Sequence, residues 1–326
     1  MELSINWKRV YGNFALLIPS WREGFFPYLP DFMARVPHHM VDLAQIPDLT
    51  ANDVFYITHL LRGKVESHMV TGRALALRKE RPELFDPVQA AQLSASQIDY
   101  RLRKIFGTVP KWQLYGEAWR RNSEILLKGW GGDILKVFDG VTTEAEVRDR
   151  VMNKQNYKLP FAERGFYMFQ AKMTALLVIN LMQTGFIPRI SMSFPVDFHH
   201  LRALIGTGMI QLENGTYNPE PLVAAGDRIG RAYLDRFPGM DPVVFSELLF
   251  VLSREGCANA VDDPEADWDD PATQRRYQMS CGRCPLEHRC QQTAVSSEYY
   301  RKDGGRRVIK IVSRPKPPWR IRLHQT

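Results

Sequence analysis

The stretch FYMFQAKMTALLVINLMQTG, residues 166 to 185, is apolar on nearly every side of a helical wheel. It predicts a helix buried all round, with Gly185 as its stop. Capped helices surround it. Ser94-x-x-Gln97 has the form of a capping box opening a helix that Gly107 can close, and Thr143-x-x-Glu146 opens another. FPVDFHHLRALIG, 194 to 206, puts Asp197 where an N-cap belongs and Gly206 where the helix closes. PVVFSELLFVLSREG, 242 to 256, predicts a helix running directly into Cys257. Strand alternation is scarce, and Asn214-Gly215 signals one short hairpin. Residues 1 to 60 mix aromatics such as Trp7, Tyr11, Phe14 and Trp21 with prolines, which predicts short helices and loops wrapped on a core. The acidic, proline-bearing stretch between Cys257 and Cys281 reads as a surface loop. The chain is mainly α on this pattern.

Composition adds little until charge is located. With 326 residues, 44% hydrophobic and 24% charged, the chain is too apolar for disorder. Its first residues lack a basic segment followed by an apolar core, and its longest apolar stretch is too short to span a bilayer, so the reading is a cytoplasmic protein in which paired disulfides are not expected. The net charge is +7, but residues 301 to 326 alone carry nine Lys or Arg against one acid, Asp303. The remaining 300 residues therefore sum to −1. A basic tail holding Arg306, Arg307, Lys310, Arg314, Lys316 and Arg320 suits a polyanion such as nucleic acid, by release of condensed counterions, and equally suits a solvated tail that aids solubility.

Candidate chemistry begins with sulfur. All four cysteines, Cys257, Cys281, Cys284 and Cys290, fall within 34 residues in the spacing C-x23-C-x2-C-x5-C. A Cys-x-x-Cys pair lets two thiolates share one centre and two further cysteines complete fourfold sulfur ligation, of zinc or of an iron–sulfur cluster. Spacing alone leaves both open.

LSREGC at 252 to 257, followed by CGRCPLEHRC, resembles the C-terminal cluster loop of the helix-hairpin-helix DNA glycosylase superfamily, the endonuclease III type. PVDFHHLRAL at 195 to 204 is similar to that superfamily's V-D-T-H-x-x-R-V segment, and LPFAERGFYMFQAKMTALLV resembles its hairpin, with Leu159-Pro160 and Thr174-Ala175 as anchors. The resemblance implies two helical subdomains of the helix-hairpin-helix DNA glycosylase type with an iron–sulfur cluster loop. The expected divisions are an N-terminal helical segment over 1–91, a helical-barrel subdomain with hairpin and Asp197 over 92–206, a C-terminal helical subdomain with the cluster loop over 207–300, and the tail over 301–326.

The resemblance also implies site residues. Cys257, Cys281, Cys284 and Cys290 would bind a 4Fe–4S cluster; Asp197 falls on the catalytic aspartate, His199 on the following histidine and Arg202 on the arginine; Gly165 is the hairpin glycine that approaches DNA. By residue type alone Asp197 is a helix cap worth about 1 kcal/mol, and His199 a packing histidine. Lys172 lies near the position of a Schiff-base lysine, or is a helix lysine facing solvent. The hairpin has one glycine where the family uses two, it is longer, and so is the loop before Asp197. These departures make the chain look more like the bacteriophage amino acid:DNA transferase, or thymine pyrophosphorylase-like, branch. The implied function is transfer of an amine or amino acid to a pyrophosphorylated 5-hydroxymethyluracil in double-stranded DNA, on a flipped nucleotide, by a monomer. A monofunctional DNA N-glycosylase and a non-catalytic DNA-binding module are the alternatives.

Overall fold

The computed structural model describes residues 3–33, 46–61, 67–107, 112–192, 194–237, 241–300 and 306–318. Most are helical, as expected. The chain forms two compact units: Arg35–Pro195, and Met1–Ala34 together with Val196–Thr326. No described helix is long and apolar enough to cross a membrane.

This division departs from the expected one. The first residues join the C-terminal half because Ser4–Ile5 pairs antiparallel with Ile210–Gln211, and the helix Trp7–Arg22 lays Phe14 against Phe245 and Tyr233, at centroid distances of 4.5 and 4.7 Å. A two-residue strand carries no readable periodicity, so the link was invisible in the sequence.

In the unit Arg35–Pro195, the helix Trp112–Trp130 supplies the centre. Trp119 is fully buried, stacks on Tyr56 of the helix Ala51–Leu60 at 4.8 Å, and donates its indole N–H to the Leu84 carbonyl at 2.7 Å. Each such aromatic pair adds about 0.5–1.5 kcal/mol beyond its buried area. The capping boxes form at Ser94 and Thr143. The buried helix runs Ala171–Gln183 rather than from 166, because Met168 has φ 66°, a left-handed conformation that a helix cannot continue through. Its Asn180 amide donates to Thr58 Oγ1 at 2.7 Å within the core.

Between the helix Glu144–Val151 and the buried helix, residues 152–170 fold back on themselves. Asn153 N donates to Phe169 O (2.8 Å), Lys154 N to Arg164 O (3.0 Å) and Phe166 N to Val151 O (2.9 Å). Gly165 makes this possible: its φ is +65°, and a Cβ there would lie 1.9 Å from the Met152 carbonyl oxygen. The strained φ alone costs a non-glycine residue about 1–3 kcal/mol. Gly165→Ala will therefore lower the thermal midpoint by about 5 °C or more, read by circular dichroism; an unchanged midpoint would mean that the hairpin has another way to pack.

The other unit holds a three-stranded antiparallel sheet in the order Gly215–Tyr217, Arg306–Ser313, Thr293–Tyr300, with Thr216 opposite Lys310 and Val295 opposite Ile311. The expected tail is thus partly a central strand. Ile309 and Ile311 point inward, each 1% exposed, while Lys310 points out, an alternation that the high charge of the segment hides. The Asn214-Gly215 hairpin does not form: Ile210–Gln211 and Gly215–Tyr217 belong to different sheets, and Asn214 Oδ1 instead accepts from Ser313 N at 2.9 Å. The acidic stretch after Cys257 is also more than a loop. It contains the helix Pro271–Met279, capped by Asp270, whose Tyr277 is buried edge-on to Trp268.

One buried carboxyl of this unit predicts a pH dependence. Glu247, 4% exposed, has its pKa raised from 4.5 to about 7, by burial first and then by the charge of Asp241, against a hydrogen bond from Trp21. The folded state favours the protonated form, so this contribution is complete below the unfolded pKa and is lost as pH rises through about 7. Glu247→Gln will flatten the loss of stability, on the order of 3 kcal/mol, between acidic and mildly basic pH in denaturant titrations; an unaltered pH profile would remove Glu247 as its source.

Candidate functional site

Asp197 is the N-cap of the helix Phe198–Gly206. Its Oδ1 accepts from His199 N at 2.9 Å and His200 N at 3.3 Å, satisfying donors that a helix start leaves open. The same oxygen lies 2.8 Å from His200 Nδ1, and His200 Nε2 lies 3.0 Å from Ser246 Oγ on the helix Pro242–Val251. The Asp197 backbone N–H also donates to His200 Nδ1 at 3.2 Å, so this ring nitrogen meets both the amide and the carboxylate of Asp197 while Nε2 meets the Ser246 hydroxyl. This Asp–His–Ser order has the look of a nucleophile relay, but Ser246 has no exposed surface and cannot meet a substrate. The relay runs inward from the carboxylate and fixes its rotamer. His200 is 1% exposed whereas the Asp197 side chain is 17% exposed, so the outer end of the chain is the one able to exchange a proton.

His200 and Ser246 were missed in the sequence. The signal for His200 was available: three residues after an N-cap is the position whose side chain reaches back in a capping box. His199 instead packs its ring on Phe250 at 4.8 Å. Lys172 belongs to the other unit, exposed on the first turn of the helix Ala171–Gln183.

The four cysteines line one cavity, together with Arg314, Gln292 and Gly256. The helix Pro242–Val251 passes through a π-helical turn, Leu252–Gly256, immediately before Cys257, a widening of the helix common at functional sites. The loop Cys281–Cys290 is braced from the inserted helix, since Tyr277 donates to Glu287 Oε1 at 2.9 Å and receives Gln292 Nε2 at 3.3 Å. Two backbone amides point at sulfur: Leu286 N to Cys284 at 3.5 Å and Gln292 N to Cys290 at 3.2 Å. Burial pushes the Cys257 thiol up to about 12, opposed by Arg314, and also raises Cys284. Both Cys257 and Cys284 therefore stay protonated at neutral pH without a cation, and a metal centre must displace their protons.

The four thiols share one cavity, a donor set that suits either zinc or an iron–sulfur cluster.

Arg314 is the second surprise. Expected at DNA, it is 7% exposed: Nη2 donates to Thr293 O at 3.1 Å, Nη1 lies 3.9 Å from Cys281 Sγ, and Nε is buried without an acceptor. Burial disfavours its charge, and Cys257, Cys281 and Cys290, once ionised, more than offset this. Gln292 Oε1 on the same cavity is also buried and unpartnered. Gly206 leaves room, since a Cβ there would stand 3.2 Å from Thr293 O and 3.6 Å from Arg314 Nη2.

Arg202 also turns inward, its guanidinium 4.5 Å from the Phe198 ring and its Nε donating to Val295 O at 3.3 Å. Burial lowers its pKa, against the pull of Cys257. Gly165 serves backbone packing within the hairpin. Lys310 and Lys316 are exposed. Arg306 and Arg307 lie in the central strand, and Arg320 falls outside the described residues.

No protein-family profile matches the chain, and no curated protein does. Among solved structures, the chain is similar to an endonuclease III trapped in a covalent intermediate with DNA, in an estranged-adenine complex, at 14% identity over 87% of this chain and 96% of that one, with a TM-score of 0.48.

Proposed function

We propose that the chain is a DNA base-modifying enzyme that transfers an amine or amino acid to a pyrophosphorylated 5-hydroxymethyluracil in duplex DNA. The observation that carries the reading is Asp197: a carboxylate locked by two backbone amides and a buried histidine, yet partly open to solvent, inside the motif D-x-H-x-x-R. Such a group can act as a positioned base. The incoming amine nitrogen forms a bond to the C5 methylene of the base, the methylene C–O bond breaks, and pyrophosphate leaves with that electron pair. Asp197 takes the proton lost by the amine. The C5 methylene of the base projects into the major groove, and flipping the nucleotide out of the stack, as base-modifying enzymes do, would bring it to Asp197 in a closed pocket.

The cofactor proposed is a 4Fe–4S cluster on Cys257, Cys281, Cys284 and Cys290, and its part would be to hold the loop rather than to carry electrons. Supporting it are the shared cavity, the two N–H···S contacts and the unpartnered Arg314 Nε, all of which suit acceptor sulfur in that space.

The test follows pyrophosphate. Incubation with DNA carrying the pyrophosphorylated base should release pyrophosphate only when an amine is present, in amounts equal to the amine consumed. Release without amine uptake would indicate hydrolysis and sink the transfer reading.

A further inference from the structure

A capping box ordinarily carries a glutamate or glutamine at the third helical position, reaching back to the backbone N–H of the cap. In the helix Phe198–Gly206 that position is His200, and its ring closes the box on Asp197. Nδ1 lies 3.2 Å from Asp197 N and 2.8 Å from Asp197 Oδ1. The two contacts make opposite demands, because the amide needs a bare nitrogen whereas an ionised carboxylate oxygen needs an N–H. The carboxylate contact is the shorter one and involves a charge, and charge-assisted hydrogen bonds are roughly twice as strong as neutral ones. Nδ1 therefore carries a proton whenever Asp197 is ionised.

Oδ1 then takes three N–H donors, from His199 N at 2.9 Å, His200 N at 3.3 Å and the ring at 2.8 Å. Those donors saturate an oxygen with two lone pairs. It cannot also collect a proton from a substrate, which leaves that chemistry to Oδ2. The ring is held in turn from the helix Pro242–Val251: Nε2 lies 3.0 Å from Ser246 Oγ, and the Phe250 ring is tilted against it at 6.3 Å. A hydroxyl serves Nε2 in either protonation state, since it can donate or accept. The charged side chains nearby in sequence turn elsewhere. Arg202 lies over Phe198 and donates to Val295 O, and Glu247, next to Ser246, takes a hydrogen bond from Trp21.

We propose that His200 is a positioning residue for Asp197: its Nδ1–H, anchored through Ser246, commits Oδ1 to the protein, favours the ionised carboxylate and leaves Oδ2 to act as the base. The proposal rests on the reading of Asp197 as the base and assigns that role to one of its two oxygens. The proton lost by the amine goes to Oδ2 and leaves its electron pair on nitrogen.

Two measurements on the full chain test it. Nitrogen NMR of the His200 ring needs no substrate: Nδ1 should be protonated at neutral pH, and a bare Nδ1 would overturn the assignment. Turnover then separates positioning from packing. His200→Leu fills the space without a donor, and His200→Asn restores an N–H near the place of Nδ1. With Leu, kcat on DNA carrying the pyrophosphorylated base should fall about tenfold or more at unchanged KM for DNA. The acid limb of its pH profile should also move up by about one unit, because a carboxylate that loses a donor to its ionised form is protonated more readily. Asn should recover most of both effects. Equal losses in the two variants with an unmoved acid limb would reduce His200 to packing. Undiminished turnover in His200→Leu beside a slow Asp197→Asn would sink the proposal alone, whereas full turnover by Asp197→Asn would sink the base reading and the proposal with it.

Discussion

Asp197→Asn protein will fold, bind duplex DNA with nearly wild-type affinity, and turn over about 10²–10⁴-fold more slowly. The substitution isolates charge from architecture. Asparagine is as good an N-cap as aspartate, and its Oδ1 can still accept from His199 N and His200 N. What it cannot do is take a proton. The His200 ring must also adapt, because it now faces a neutral amide, but its Ser246 contact on the far side remains. Steady-state turnover beside DNA affinity at fixed salt decides the matter. An Asn variant with full activity would reduce Asp197 to a cap.

The second large effect lies at Arg314. Replacing it by Gln removes a buried positive charge beside the four thiols and the N–H groups that face them. Groups that orient and neutralise metal ligands typically change metal affinity about 10- to 100-fold when lost. Purified anaerobically, the wild-type chain should be brown and contain iron and acid-labile sulfide in equal amounts. Arg314→Gln should lose both to a chelator at least about tenfold faster, and its reduction potential should fall because a cation near the cluster is gone. A colourless wild-type protein holding stoichiometric zinc would refute the cluster itself. An iron-loaded variant with unaltered chelator resistance and potential would instead refute only the role of Arg314.

The legible parts of this molecule are those written in short-range chemistry. Ser94, Thr143 and Asp197 were readable as caps because a cap is decided by three or four consecutive residues. The cysteines were readable as one site because x2 and x5 spacings fix neighbours on a tight loop, and the structure brings Cys257 to the same cavity across the inserted helix. What stayed hidden depends on distant partners. Arg314 could only look like one more tail cation, since its meaning comes from a strand that pairs with both Gly215–Tyr217 and Thr293–Tyr300. Ser246 is 46 residues from the histidine it holds. Asn122 of the helix Trp112–Trp130 accepts from Tyr167 N of the hairpin at 2.6 Å across 45 residues, a pairing that no local pattern announces.

The measurement closest to the central claim is the mass of the nucleosides and small molecules left after the chain acts on DNA carrying pyrophosphorylated 5-hydroxymethyluracil in a mixture of amino acids. A thymidine-derived nucleoside heavier by one amino acid less water, accompanied by free pyrophosphate, is the predicted result and names the amine. A free base with an abasic site in the strand would contradict it and make the chain a glycosylase.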